Sequence, residues 1–303
     1  MPTPNRDRRA EVGYWRSEAG FAAYKAAYDA AMATMPAPTR SHDVPIEFGT
    51  VRVYEWTGGP AGAAPLVLVP GIRSGVPMWA ENLPHWLGER TVYAMDAVGD
   101  SGLSTHLVPF DSFDHQAGWL EQALAAMGVP QAHLVGHSFG GAIAATHALH
   151  HPGRVRSLTL LESVMVLSSL PVSMYLWATL LLLPVPQAWK DKALAEIGGV
   201  TVAEVRERTP VAVMVDEGSK HYAAATRTPR TLTDAEWRTM SMPIRVEIAS
   251  DKSLAGGRRA AQRARSLGID PTIVRVNTTH SLPMQAAEAL GRELPEYWSR
   301  HDR

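Results

Sequence analysis

A serine flanked by glycines is the residue of this sequence best placed for covalent chemistry. Gly136-His137-Ser138-Phe139-Gly140 is a G-x-S-x-G motif that follows the apolar run HLV and opens a predicted helix. In that context the serine occupies a tight strand-to-helix turn, and its Oγ meets the free N–H groups of the helix N-terminus. The glycines lack a Cβ, so the neighbouring chain can pass close to the turn. The motif therefore predicts that Ser138 is a nucleophile.

A serine hydroxyl needs a base, and this class of motif orders its partners along the chain as serine, acid and histidine. His280, in VNTTHSLPM, follows the last predicted strand and is the expected base. Two carboxylates could orient its imidazole. Asp251 ends the penultimate predicted strand and is the first choice. Glu162, which ends the strand before the long middle region, is the alternative acid.

The oxyanion formed during attack by the serine needs two N–H donors. Phe139, the residue after the serine, is expected to provide one of them. The backbone of Ile72, in the loop after PLVLVPG, is the candidate for the other. Arg73 is near enough to bind a substrate carboxylate or phosphate, with a surface or structural arginine as the alternative. His137 is expected either to support the site from behind or to contact substrate.

No metal or nucleotide cofactor is predicted. His147, His150 and His151 have helical spacing after the motif, but no carboxylate accompanies them in the sequence, and we interpret them as a solvated helix end. GGPAG at 58–62 lacks the Lys-Ser/Thr ending of a phosphate-binding loop.

Strands that alternate with helices must position these residues. A predicted hairpin, VPIEFG and TVRVYEWTGG, precedes six further predicted strands, which lie in PLVLVPG, RTVYAMDAVGD, QAHLVGHSFGG, RVRSLTLLES, PIRVEIASD and PTIVRVN. Each is separated from the next by a helical pattern or a longer region, which predicts βαβ units and a mostly parallel sheet flanked by helices, an α/β fold.

The middle region contains an unusual apolar stretch. No charged residue occurs from Ser163 to Trp189. A stretch of this length could form a bilayer-spanning helix. Pro171, Pro184 and Pro186 interrupt it. We interpret the stretch as a buried or lid element, with an interfacial membrane anchor as the alternative.

With these motifs in this order, the sequence resembles the α/β-hydrolase fold superfamily over about residues 45–300. The N-terminal YWRSEAGFAAYKAAYDAAM, together with MWAENLPHW and VYAMDAVGDSG, is similar to a bacterial group of esterase-like hydrolases. The resemblance implies that Ser138 is the nucleophile, His280 the base and Asp251 the acid. Pro70 replaces a histidine common in relatives, and Lys252 occupies the place where relatives carry the acid, which keeps Glu162 open.

The resemblance also implies a domain plan, with a helical cap inserted after the sixth strand. The expected parts are an N-terminal helical extension (1–44), a core (45–163 and 236–303) and a cap (164–235). Met165 and Trp177, in the apolar stretch, would line an apolar substrate cavity or else pack the cap onto the core.

Composition narrows the function. Lys+Arg is 29 and Asp+Glu is 30, and this balance gives no reason to expect nucleic-acid binding. The absence of cysteine excludes disulfides and cysteine nucleophiles. The N-terminal MPTPNRDRRAEVGYW lacks the apolar run of a secretory signal, so a cytoplasmic location is expected.

The expected function is a cofactor-free, carboxylesterase-like serine hydrolase of the EC 3.1.1 class. It would cleave a carboxylic ester, lactone or thioester with an apolar moiety through an acyl-enzyme on Ser138. Hydrolysis of amides or carbon–carbon bonds and acyl transfer would use the same residues. The alternatives are a membrane-associated lipase and a non-catalytic ligand-binding protein of the same fold. The oligomeric state stays open, a homodimer included.

Overall fold

The predicted strands assemble into one mixed sheet of nine strands in a computed structural model, which describes residues 11–60, 62–183 and 185–302. Residues 1–10, the start of the predicted N-terminal extension, lie outside the described residues. In chain order the strands are β1 (Tyr14–Trp15), β2 (Arg40–Ile46), β3 (Gly49–Trp56), β4 (Leu66–Val69), β5 (Val92–Met95), β6 (Thr105–His106), β7 (Ala132–His137), β8 (Val155–Leu161), β9 (Tyr222–Ala223), β10 (Ile244–Ala249) and β11 (Thr272–Arg275).

Helices separate most of these strands along the chain. They are α1 (Glu18–Met32), α2 (Leu83–Trp86), α3 (Phe113–Ala126), α4 (Ser138–His150), α5 (Val172–Leu182), α6 (Gln187–Gly198), α7 (Val202–Glu207), α8 (Pro210–His221), α9 (Asp234–Thr239), α10 (Gly257–Ser266), α11 (Leu282–Gln285) and α12 (Ala287–Arg300). Two short 3-10 helices, Val76–Trp79 and Pro152–Arg154, complete the set for the described ranges.

The sheet order places β7 near the centre. Its main path is β11-β10-β8-β7-β4-β5-β3-β2, and β6 pairs with β3. The strands from β11 to β5 are parallel, whereas β3 is antiparallel to both of its neighbours on the path. Because parallel strands need a crossover, and crossover helices cover both faces, the central strands β4, β7, β8 and β10 are almost entirely buried. The carboxyl ends of β4, β7, β8 and β10 therefore meet at one edge.

Successive side chains of a strand point to opposite faces of the sheet, so they pack in two separate hydrophobic cores. On β4, Val67 and Val69 join the core under α3, α4 and α10. Leu66 and Leu68 join the other core, under α1, α2 and α12. The sheet is thus covered by helices on both sides, as the α/β prediction requires.

Helices α5 to α9 and strand β9 lie between β8 and β10. β8 is the sixth strand of the sheet when the two-residue β6 is left out, so the insertion point agrees with the implied cap. The apolar stretch of 163–189 divides into a loop, α5 and the start of α6. Within the described ranges, no helix combines the length and the hydropathy needed to cross a bilayer.

The N-terminal extension packs against the end of this cap segment. β1 pairs antiparallel with β9, and the N–H of Arg16 donates to the carbonyl of His221 (2.8 Å). α1 lies along α8, and the two are close at Gly20, where an added Cβ would lie 2.8 Å from Cβ of His221. The domain boundaries stay predictions, but the extension and the cap are not structurally independent.

Candidate active site

Ser138 lies at the sharp turn between β7 and α4. Its φ of +52° is in the left-handed region, which is strained for a residue with a side chain. Neighbouring glycines make the turn possible: a Cβ on Gly140 would lie 2.3 Å from the carbonyl oxygen of Val69, and one on Gly136 would lie 2.6 Å from the oxygen of Gly140. The strand before and the helix after are the structural context that a nucleophile elbow requires.

His280 lies beside the serine. It occupies the loop between β11 and α11, and its Nε2 is 2.9 Å from Oγ of Ser138. Both side chains are nearly buried. This distance is a hydrogen bond from the hydroxyl to the imidazole, the geometry in which a histidine can take the proton of a serine.

The carboxylate that faces His280 belongs to Glu162, immediately after β8. Its Oε2 lies 3.1 Å from Nδ1 of His280, and the residue is fully buried. Oε1 accepts hydrogen bonds from the N–H of Ala249 (2.8 Å) and the hydroxyl of Ser253 (2.6 Å). Oε2 also accepts from the N–H of Leu254 (3.0 Å). The carboxylate is therefore held in place by the chain that follows β10.

The first-choice acid, Asp251, does not occupy this position. Its side chain is exposed and accepts a hydrogen bond from the hydroxyl of Ser250 (2.6 Å). Its N–H donates to the carbonyl of Thr278 (3.0 Å), which fixes the backbone beside the loop that carries His280. The turn after β10 thus presents backbone N–H groups to Glu162 and directs the carboxylate of Asp251 outward. Lys252 pairs with Glu196 of α6 (3.0 Å).

The loop after β4 lies against the serine. A Cβ on Gly71 would lie 2.9 Å from Nδ1 of His137 and 3.3 Å from Cβ of Ser138, so the close approach of this loop favours glycine. Ile72 follows, and the N–H of Phe139 is in the first turn of α4, where backbone donors have no partner within the helix. Both predicted oxyanion donors are therefore adjacent to the turn that holds the serine.

Asp100 fixes the same loop. Its Oδ2 accepts the N–H of Arg73 (2.5 Å), and its Oδ1 accepts the N–H of Ser101 (2.8 Å). Arg73 has a φ of +62°, so the backbone turns sharply directly after Ile72. Burial raises the pKa of Asp100 to about 6, against the lowering effect of these N–H donors. The side chain of Arg73 is exposed, and no contact with the reacting groups is seen.

His137 supports His280 from behind. Its Nε2 is 3.0 Å from the carbonyl oxygen of His280, so this nitrogen carries the proton and donates it. The two rings lie 5.0 Å apart. Burial, and then the neighbouring His280, lower the pKa of His137 to about 3. Of the two interpretations of His137, the geometry favours support over substrate contact.

The contacts seen for Met165 and Trp177 are with the core and with α6. Met165 packs on the core beneath α4, which is the alternative that the sequence left open. Trp177, on α5, has Nζ of Lys192 5.8 Å from its ring centroid, a cation–π contact to α6. Neither contact tests a substrate role.

Sequence reasoning missed two residues that shape the site. Ser253 donates to Glu162 and accepts the N–H of Gly257 (3.0 Å), which ties the acid to the start of α10. Asp100 lies in the segment GDSG, and the sequence motifs did not indicate a role for its carboxylate. The residues with metal-binding geometry lie elsewhere, at the far end of α4.

Known proteins resemble this chain over most of its length. The family described as alpha/beta hydrolase fold matches residues 64–203. Carboxylesterase YbfK of Bacillus subtilis is 24% identical over 296 residues, 91% of this chain and 93% of that protein. The crystal structure of naproxen esterase from Bacillus subtilis matches with a TM-score of 0.80 and 22% identity, covering 93% of this chain and 99% of that chain.

A more local similarity is found to 2-hydroxymuconate semialdehyde hydrolase from Pseudomonas sp. (strain CF600). It is 34% identical over 145 residues, 46% of this chain and 50% of that protein. The strand order, the turn after β7 and the likeness to the two Bacillus proteins agree with one another. They confirm the predicted α/β-hydrolase fold, and the chain is similar to bacterial carboxylesterases over most of its length.

Proposed function

We propose that this protein is a serine hydrolase of carboxylic esters, working through an acyl-enzyme on Ser138. The observation that carries the proposal is the continuous chain of contacts from Oγ of Ser138 through His280 to Glu162, with distances of 2.9 and 3.1 Å. Serine, acid and histidine occur in the order that this class of motif uses. The similarity to proteins named carboxylesterases supports ester cleavage.

In the proposed reaction, His280 removes the proton of Ser138 as Oγ attacks the ester carbonyl carbon. Glu162 keeps a proton on Nδ1 of His280 and stabilises the imidazolium that forms. The N–H groups of Phe139 and Ile72 stabilise the oxyanion of the tetrahedral intermediate. The imidazolium then protonates the leaving alcohol. A water molecule, deprotonated by His280, releases the acid from Ser138 in the second half-reaction.

The proposed substrate is a small ester with an apolar moiety. Val164, two residues after Glu162, is apolar and buried. The N–H of Val164 donates to the carbonyl of Ser138 (3.2 Å), so this segment lies directly on the serine. Lactones and thioesters present the same electrophilic carbonyl and belong to the same proposal. The chemistry needs no cofactor, and a cytoplasmic location stays a prediction.

A lipase acting at a lipid surface is the second candidate. It is favoured by apolar side chains exposed on the cap: Tyr175 is 54%, Leu176 68% and Trp189 60% exposed. The non-catalytic alternative would be favoured if both carboxylates lay far from His280, but Glu162 contacts it.

Fluorophosphonate labelling tests the first candidate, because the reagent reacts with activated serines. We expect one adduct per chain, mapped to Ser138 by peptide mass and absent from Ser138→Ala and His280→Ala. Folded protein that takes up no label would overturn the proposal. Hydrolysis of a chain-length series of esters, below and above the concentration at which they form micelles, then separates an esterase from a lipase, since only a lipase gains rate at the aggregated substrate.

A further inference from the structure

Two histidines and a glutamate converge at the end of α4 opposite Ser138. Glu121 lies on α3, His147 in the last turn of α4 and His151 directly after it. One ligand atom from each lies within 4.8 Å of the other two. The sequence shows no carboxylate near these histidines and predicts a solvated helix end, but α3 packs beside α4 and supplies Glu121, and the side chain of His147 is buried.

His147 is the deepest member of this cluster. Its side chain is fully buried, and among the described residues neither ring nitrogen has a hydrogen-bond partner. Burying a polar group without a partner is unfavourable by a few kcal/mol, and native structures rarely leave such a group unpaired. A ligand that accepts a lone pair from the imidazole would satisfy one of its two nitrogens.

The distances between these groups suit a shared ion better than a hydrogen bond. Oε2 of Glu121 lies 3.9 Å from Nε2 of His147 and 3.8 Å from Nδ1 of His151. A tetrahedral ion with bonds of about 2.1 Å holds its ligand atoms roughly 3.4 Å apart. The two Glu121 distances exceed this separation by about half an ångström, and the ligand atoms of the two histidines lie within 4.8 Å of each other.

Arg154 orients the carboxylate toward the histidines. Its Nη2 and Nε lie 2.8 and 2.9 Å from Oε1 of Glu121, and Nε is also 3.2 Å from Oε2. Nη1 donates to the carbonyl of Val129 (2.9 Å), which anchors the guanidinium. Carboxylate ligands of metals are commonly held by such hydrogen bonds. A cavity of about 220 Å³, bordered by His147, His151 and Asp114, gives solvent access to the cluster.

We propose that Glu121, His147 and His151 form a binding site for a divalent transition ion of the Zn²⁺ type, completed by water from the cavity. Two imidazoles and one carboxylate are ligands that Zn²⁺ accepts, and the helical i, i+4 spacing of the histidines puts both on one face of the helix. The ion joins α3 to the end of α4. It lies about 14 Å along α4 from Ser138, so its role is structural.

Calorimetric titration of Zn²⁺ into the full-length protein tests this site, after chelator treatment and removal of any affinity tag. We expect saturable binding of one ion per chain. His151→Ala should weaken binding roughly tenfold or more, as the loss of a ligand does. His150→Ala is the matched control, because this neighbouring histidine is exposed and faces Asp114 (3.3 Å). It should leave the affinity unchanged.

Two further measurements distinguish the loss of a ligand from a general loss of folded protein. Zn²⁺ should raise the Tm of the wild type and of His150→Ala, but not of His151→Ala. Bound Co²⁺ should give visible absorption bands that are lost in Glu121→Gln. His151 is 39% exposed, so its replacement is mild, whereas replacing the buried His147 risks the fold. Absence of saturable binding, or equal affinity in wild type and His151→Ala, would overturn the proposal.

Discussion

The carboxylate of Glu162 connects two parts of the chain that are far apart in sequence. It lies against His280 and accepts hydrogen bonds from the turn after β10. Both oxygens already accept hydrogen bonds from donors. If glutamine replaced Glu162, its NH₂ group would therefore face a donor in place of an acceptor.

We therefore expect Glu162→Gln to lower kcat by roughly a thousandfold to ten-thousandfold, since the imidazolium of His280 loses its counter-charge. Asp251→Asn is the matched control: it also removes a carboxylate, but from the exposed residue that the sequence favoured, and should keep the wild-type rate. The measurement is steady-state hydrolysis of a short-chain ester, with the labelling rate of Ser138 as a second readout. Equal losses in both variants would contradict the assignment of the acid.

Sequence reasoning could predict Ser138 and His280 because local features identify them. The serine has glycines at fixed spacing, and the histidine follows the last strand of an alternating pattern. The acid has no such local signature. Glu162 and Asp251 follow strands that end at the same edge of the sheet, and the direction of one turn decides which carboxylate reaches the imidazole. His137 was likewise visible, but its support of the carbonyl of His280 depends on tertiary packing.

At the scale of elements, helix packing distinguishes two glycines that look equivalent in the sequence. Gly20 in α1 faces α8, where an added Cβ would meet the Cβ and ring of His221 at 2.8 Å. Gly118 in α3 has open space around the position of a Cβ, with no atom within 4 Å. Both positions are helical, so an alanine would favour the helix equally at each.

Gly118→Ala should raise the free energy of unfolding by about 0.5 to 1 kcal/mol, the difference in helix propensity. Gly20→Ala should lower it, because overlap with His221 forces α1 and α8 apart at a cost of about 1 to 3 kcal/mol. Urea unfolding of the two variants beside the wild type measures both effects. A gain in stability for Gly20→Ala would show that α1 and α8 do not pack as described.

For the whole molecule, buried neutral histidines connect stability to pH. Burial is the largest cause that lowers the pKa of His106 and His133 to about 4, and that of His137 and His147 to about 3. Below pH 6.5 the unfolded chain binds a proton on each of these residues, and the folded chain does not. Their contribution to stability is therefore complete above pH 6.5 and falls as the pH drops toward 4.

Each of these histidines should lower the free energy of unfolding by about 2 kcal/mol between pH 7 and pH 5. Asp100 acts in the opposite direction, since a raised pKa favours the folded state on acidification, by about 1 kcal/mol over the same range. The net expectation is a protein that is less stable at pH 5 than at pH 7. Urea unfolding at the two pH values checks this, and equal or higher stability at pH 5 would contradict it.

The overall architecture was accessible from the sequence, because apolar strands that alternate with helices leave few topologies open. The contact between the N-terminal extension and the cap was not. β1 and β9 have two residues each and are separated by most of the chain. Such short strands have no periodic pattern in the sequence. The helical spacing of Tyr24 and Tyr28 in α1 indicates a buried helix face but not which helix packs against it.

The pairing of β1 with β9 also limits how this protein can be re-engineered. The cap segment begins after β8 and ends before β10, so it could seem possible to replace it as a unit. Here part of its support comes from Tyr14–Trp15 and from α1, which precede the core in the chain. A chimera that receives the cap of a related protein must therefore also receive the N-terminal segment of that protein. A mutant library designed to change specificity should likewise vary the cap and the N-terminal segment together.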